Sequence, residues 1–151
     1  MNHRPVFHLI SVMLVVLGAA MGLCAGIAVL SADPLQAQVG LAVSAVSVMV
    51  TGIVMFMMTR GSVDLSRRDG FGIVALGWIA AACSGAIPYM ATSVIVNPVS
   101  AVFESMSGFT TTGASVLSDL ETLPHGVLFW RALTHFFGGM GVLVLCVAIL
   151  P

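Results

Sequence analysis

The sequence contains no lysine, and Asp, Glu and Arg together make up only 7% of its 151 residues. A soluble domain carries about 25% charged residues, because its outer surface faces water. With 59% hydrophobic residues this chain cannot cover itself with polar groups, and lipid is its expected solvent. The net charge of −1 says nothing about partners, and there is no basic patch to suggest nucleic acid. Cysteine is scarce as well. Cys24, Cys83 and Cys146 lie singly inside apolar runs without short paired spacings, so they read as small hydrophobes rather than metal ligands or a disulfide framework.

The gaps between charges carry the organisation. No charged residue falls between Arg4 and Asp33, between Asp33 and Arg60, or between Asp69 and Glu104, and only Arg131 follows Glu121. Each gap can hold a helix of about 20 residues, enough to cross a hydrocarbon core of about 30 Å. Four spans follow, at 6–30, 35–59, 70–95 and 125–150, punctuated by Asp33-Pro34, Arg60-Gly61-Ser62 and Leu123-Pro124. The first run is longer than the roughly 7–15 apolar residues of a cleaved signal peptide. Leu23, before Cys24, is also larger than a lipoprotein cleavage site usually tolerates, so this run reads as a retained helix.

Orientation comes from the arginines. Arg4 precedes the first span, and Arg60, Arg67 and Arg68 lie between the second and third, whereas the first connection and residues 97–124 have neither Arg nor Lys. Positive residues stay on the cytoplasmic side. The N-terminus and the 60–69 loop are therefore expected in the cytoplasm of a multi-pass protein of the cell membrane. Gly18, Gly22 and Gly26, like Gly77, Ala81 and Gly85, recur every four residues and are expected to mark faces for close packing within one bundle.

Between the third and fourth spans the pattern changes. Asn97 is a good N-cap and Pro98 suits a first helical turn, while Gly108 supplies a stop. The helix so defined, 98–107, would be about 15 Å long, half a bilayer. The Thr110-Thr111-Thr112-Gly113-Ala114 run that follows has weak helix propensity. Irregular backbone at membrane depth must line a water-filled path or be buried in protein. An ion filter uses such backbone, with carbonyls replacing the hydration shell of a cation. Gly113 permits the dihedrals required, and the C-terminal end of the half-helix aims a negative dipole at the path. An ordinary outer loop remains the alternative on spacing alone.

The run Phe103-Glu104-Ser105-Met106-Ser107-Gly108-Phe109-Thr110-Thr111-Thr112-Gly113-Ala114 resembles the first pore loop of the Trk/Ktr/HKT potassium transporter family, in its TrkH branch. Trp130-Arg131-Ala132-Leu133-Thr134, Gly138-Gly139-Met140-Gly141 and the closing Ala148-Ile149-Leu150-Pro151 resemble the helix after that loop. His135 departs from the Gln expected in many relatives. The resemblance implies an all-α membrane protein of K⁺ channel-like architecture. Residues 1–69 would form two leading transmembrane helices with a cytoplasmic loop, and 70–151 one helix–pore loop–helix repeat. It implies that K⁺ is the transported ion, held by carbonyls of Thr111, Thr112 and Gly113 with Thr110 and Ala114 flanking, and that no other cofactor resides in this chain. It also implies a place in the bacterial inner membrane and, besides lipid, several partners: three further repeats, a second copy in a homodimer, and a cytoplasmic nucleotide-binding regulatory subunit of the TrkA kind. Only one repeat is present, so a fragment or a truncated reading frame is expected.

The remaining polar residues have two readings each. Glu104 and Arg131 are costly at membrane depth unless partnered. Glu104 is either part of the ion path or, the preferred reading, a structural clasp paired with Arg131 or with backbone donors. Asp119 and Glu121 either raise the local cation concentration at an outer mouth or form a solvated turn. His135, four residues after Arg131, reads as a packed or hydrogen-bonded residue. Two other classes stay open: a membrane subunit with no pathway, and an intramembrane serine hydrolase using Ser107 or Ser115 with His125 or His135. Rubidium flux separates transport from both, and a fluorophosphonate probe identifies the hydrolase.

Overall fold

Long apolar stretches without charge leave the backbone one way to satisfy its own N–H and C=O groups within lipid, and that way is helical. The computed structural model describes residues 3–59 and 67–149. The helices are α1 (His3–Leu30), α2 (Leu35–Met58), α3 (Arg67–Ala91), α4 (Pro98–Phe109) and α5 (His125–Ile149). Among the described residues there is no strand. Three segments, Arg4–Leu30, Leu35–Met58 and Gly72–Ala91, are long and apolar enough to cross a membrane, and α5 has 25 residues. Residues 60–66, on which most of the expected cytoplasmic loop falls, lie outside the described part, as do Leu150, Pro151 and the Cys146 side chain.

The bundle is antiparallel, and its ends are pinned by side chains. His8 Nδ1 lies 3.3 Å from Thr59 Oγ1, joining the start of α1 to the end of α2. At the opposite end Gln36 Nε2 donates to Ser93 Oγ at 2.8 Å, joining the start of α2 to the turn after α3. α1 and α2 pack along their length, and α4 is held between α3 and α5. Met21, Leu41, Tyr89, Val127 and Trp130 are fully buried where these helices meet.

Two expectations change. The Gly18, Gly22, Gly26 stripe is not one face: a Cβ at Gly18 would meet the Met49 backbone at 2.8 Å, but at Gly22 or Gly26 it would meet nothing within 4 Å. At 3.6 residues per turn, positions four apart drift around the helix, and the contact with α2 leaves the stripe after one glycine. It continues instead where Gly52 of α2 approaches the Val15 backbone. On α3, Gly85 does pack closely, against Ser105 and Phe109 of α4, and Gly77 barely touches Met13. The second change is that α4 does not stop at Gly108 but runs through it to Phe109. Gly108 serves a close approach: a Cβ there would collide with the Thr134 side chain of α5.

Candidate functional site

α4 begins as its first residues dictate. Asn97 accepts from the Val99 and Ser100 N–H groups at 2.9 and 3.4 Å, and Pro98 occupies the first turn. Twelve residues make α4 about 18 Å long, well short of the bilayer thickness. Its end is a Schellman motif: the Thr112 N–H reaches the Ser107 carbonyl and the Thr111 N–H reaches the Gly108 carbonyl, both at 3.0 Å. The residue placed in the left-handed region to achieve this is Thr111, at φ +55°. A β-branched residue there is a strained outlier. Gly113 follows at φ +79°, so the loop contains two left-handed residues separated by Thr112.

Side chains then tie the loop down on both flanks. Thr110 Oγ1 donates to the Met106 carbonyl and shares a bond with Thr112 Oγ1, each at 2.8 Å. Thr111 Oγ1 donates to the Thr110 carbonyl at 2.7 Å. On the far side Ser107 Oγ donates to the Ala114 carbonyl at 2.6 Å. Between these two tied carbonyls lie those of Thr111, Thr112 and Gly113, and among the described residues no donor reaches any of the three. Residues 110–116 are exposed in this chain, so these carbonyls are open to a ligand rather than sealed in protein. Three in succession form a set of acceptors suited to a desolvated cation. Among the described residues no group of three or more His, Cys, Asp or Glu could hold a metal ion.

Glu104 anchors the rising limb. It is 2% exposed, and four donor–acceptor contacts converge on it. Arg131 Nε reaches Oε1 at 2.9 Å, Ser115 Oγ lies 3.0 Å from both carboxylate oxygens, and the Val116 N–H reaches Oε2 at 2.9 Å. The sequence left the partner of Glu104 open between Arg131 and backbone donors; both are present. Trp130, next to Arg131, donates its indole N–H to the Gly85 carbonyl at 3.1 Å. One stretch of α5 therefore braces α3 and α4 together.

The other singled-out residues have local partners. His135 Nδ1 donates to the Arg131 carbonyl at 2.9 Å. The Asp119 carboxylate accepts the Glu121 N–H at 3.0 Å in an exposed turn. Of the residues considered for a hydrolase, Ser107 is bonded to Ala114, Ser115 to Glu104, His125 to Asp33 and His135 to Arg131. No serine–histidine pair forms among them.

Sequence reasoning missed Asp33. This carboxylate, 6% exposed in the α1–α2 turn, accepts the His125 N–H at 3.1 Å, the Gly126 N–H at 2.8 Å and the His125 ring Nδ1–H at 3.0 Å. Burial alone would raise its pKa, but these bonds and the nearby His125 ring prevail, holding it below the ordinary aspartate value. It caps α5 from a distant part of the chain. One local signal existed: Pro124, immediately before α5, has no side chain able to cap its first N–H groups.

Comparison with known proteins settles the family. The family model described as "TrkH: Cation transport protein" matches residues 36–151. The chain belongs to the TrkH family. A Trk system potassium uptake protein TrkH of Halomonas elongata is 45% identical over 103 residues, covering 67% of this chain and 21% of that protein. The TrkH of Escherichia coli K12 is 48% identical over 89 residues, covering 58% and 18%. The crystal structure of the potassium transporter TrkH from Vibrio parahaemolyticus superposes with a TM-score of 0.91 at 35% identity, covering all of this chain and 32% of that one. This TrkH-family chain thus spans about a fifth to a third of the length of these relatives. The all-helical membrane fold expected from its sequence is the TrkH fold.

Proposed function

We propose that this chain supplies one of four selectivity-filter loops in a TrkH-type subunit for potassium uptake. The observation that carries the reading is the row of carbonyls at Thr111, Thr112 and Gly113 that have no partner among the described residues, bounded on each side by a carbonyl that accepts from a hydroxyl. The ion is K⁺, the cargo named for the Halomonas, Escherichia and Vibrio relatives. Glu104 and Arg131 act as a structural clasp outside the ion path, since the carboxylate is occupied by loop donors and a cation. The N-terminus faces the cytoplasm of a bacterial inner membrane, an orientation that the arginine asymmetry supports. Further repeats complete the ring, the complete subunit is a homodimer, and a cytoplasmic nucleotide-binding subunit regulates it. Transport, and no enzymatic reaction, is the activity.

The test is a chimaera in which this chain replaces the matched third of the Vibrio parahaemolyticus transporter, reconstituted in liposomes. Gly113→Ser is expected to lower the ratio of Rb⁺ to Na⁺ flux roughly tenfold, the order set by the 1–2 kcal/mol that a Cβ costs in the left-handed region. An unchanged ratio would remove the filter reading.

A further inference from the structure

The row of free carbonyls ends sharply, and one buried hydroxyl ends it. Ser107 lies on α4, 6% exposed, seven residues before Ala114 in sequence. Its backbone carbonyl receives the Thr112 N–H at 3.0 Å, and its side chain gives a 2.6 Å bond to the Ala114 carbonyl. One residue therefore holds the loop on both sides of Gly113. The side-chain bond has a specific consequence: an Ala114 oxygen held by Ser107 is drawn back toward α4 with one lone pair committed, which makes it a poorer cation ligand than the carbonyls of Thr111, Thr112 and Gly113. Without the hydroxyl, that carbonyl would be a fourth unpaired acceptor in the same run, next to a glycine whose φ of +79° leaves the peptide free to turn.

Other parts of the loop cannot substitute for this bond. Glu104 grips the chain one residue later, at Ser115 and Val116, so it fixes where the rising limb runs but not which way the Ala114 carbonyl points. Ser105, two residues earlier on α4, faces Gly85 of α3. The Thr110 and Thr112 hydroxyls are joined to one another on the descending side. Among the described residues only the Ser107 hydroxyl reaches the Ala114 carbonyl.

We propose that Ser107 is a positioning residue that sets the outer boundary of the filter, restricting this loop to three ion-facing carbonyls by withholding the fourth. The assignment rests on the filter reading above, and the experiment separates the two. In the reconstituted chimaera, Rb⁺ and Na⁺ fluxes are measured as a ratio, which does not depend on how much protein inserts. Ser107→Ala, which loses the donor, is expected to lower the Rb⁺/Na⁺ ratio roughly fivefold, the order expected for one net hydrogen bond. Ser107→Thr, which keeps a hydroxyl, should hold the ratio within about twofold of the parent, a pattern that a purely volumetric role would not produce. If Ser107→Ala gives no folded protein, Ser107→Cys takes its place, keeping a similar size with a weaker donor. A parental ratio in the donor-deficient variant, alongside a collapsed ratio in Gly113→Ser, overturns the role of Ser107 while leaving the filter in place. Parental ratios in both overturn the filter and the boundary together.

Discussion

The α1–α2 pair and the α4–loop–α5 unit are both built from apolar sequence, yet they are held by opposite means. In the pair, regular helices satisfy their own backbone groups, and what remains is fit: Gly18 admits Met49 and Gly52 admits Val15, with His8 and Thr59 in hydrogen-bond contact at one end. In the unit, helix gives way to bent backbone. Specific polar groups then do the holding: Glu104 on Ser115, Val116 and Arg131, Ser107 on Ala114, and Trp130 on Gly85. Close packing suffices where the backbone is regular. Where it is not, named donors and acceptors hold the flanks of the bend, and the carbonyls of Thr111, Thr112 and Gly113 between them are left without a partner among the described residues.

That contrast can be broken most severely at Glu104. Removing one member of a buried pair leaves the other uncompensated, so Glu104→Ala is expected to cost on the order of 3 kcal/mol. Glu104→Gln and Arg131→Gln should each lower the folded yield in detergent, with the double mutant losing less than the sum. Strict additivity would show that the two groups act independently. The packed pair should respond to volume instead. Gly18→Ala is expected to cost about 1–3 kcal/mol, because its Cβ meets the Met49 backbone. Gly22→Ala, on the same helix and in open space, should be neutral or stabilising by up to about 1 kcal/mol from helix propensity. Equal effects at the two glycines, read from thermal unfolding, would contradict the packing described.

A smaller effect sharpens the comparison at the junction of the two regions. Asp33 belongs to the α1–α2 connection, but its bonds serve α5. Because its folded pKa is depressed, its contribution is fully present above the unfolded aspartate value and is lost as pH falls through the lower folded value. Unfolding midpoints of the parent and of Asp33→Asn should therefore differ by a constant amount from about pH 7 to 5 and begin to converge only as pH falls below the ordinary aspartate value of about 3.9. The gap should be on the order of 1 kcal/mol, the usual worth of a helix cap. A gap that does not narrow at all as pH falls below the ordinary aspartate value of about 3.9 would remove the charge from the explanation.

How much of this was legible in the sequence depends on the range of the interaction. Hydrophobic runs and capping signals act within a few residues. The four long helices, the start of α4 at Asn97-Pro98 and the irregular Thr-Thr-Thr-Gly stretch were accordingly visible. The end of α4 was not. Gly108 looks like a stop in isolation, but its lack of a side chain is used by Thr134 on another helix. The four-residue glycine repeat was misleading for a related reason, since it describes one helix and contact depends on where the partner crosses. Ser107 and Asp33 were hidden more deeply, because a hydrogen-bond partner chosen by folding leaves no periodic trace.

The distance along the chain between Asp33 and its partners has a consequence for synthesis. The carboxylate is made 92 residues before the first N–H group it will bind. At about 5–20 residues per second the interval is roughly 5–18 s. During that time α1 and α2 can pair, but the turn between them carries an acidic group whose donors do not yet exist, and it must stay in contact with water. The leading hairpin is therefore inserted with its tip held at the aqueous boundary, and the arrival of α5 is the event that lets the tip settle. Assembly of this segment closes from its last helix back onto its first turn.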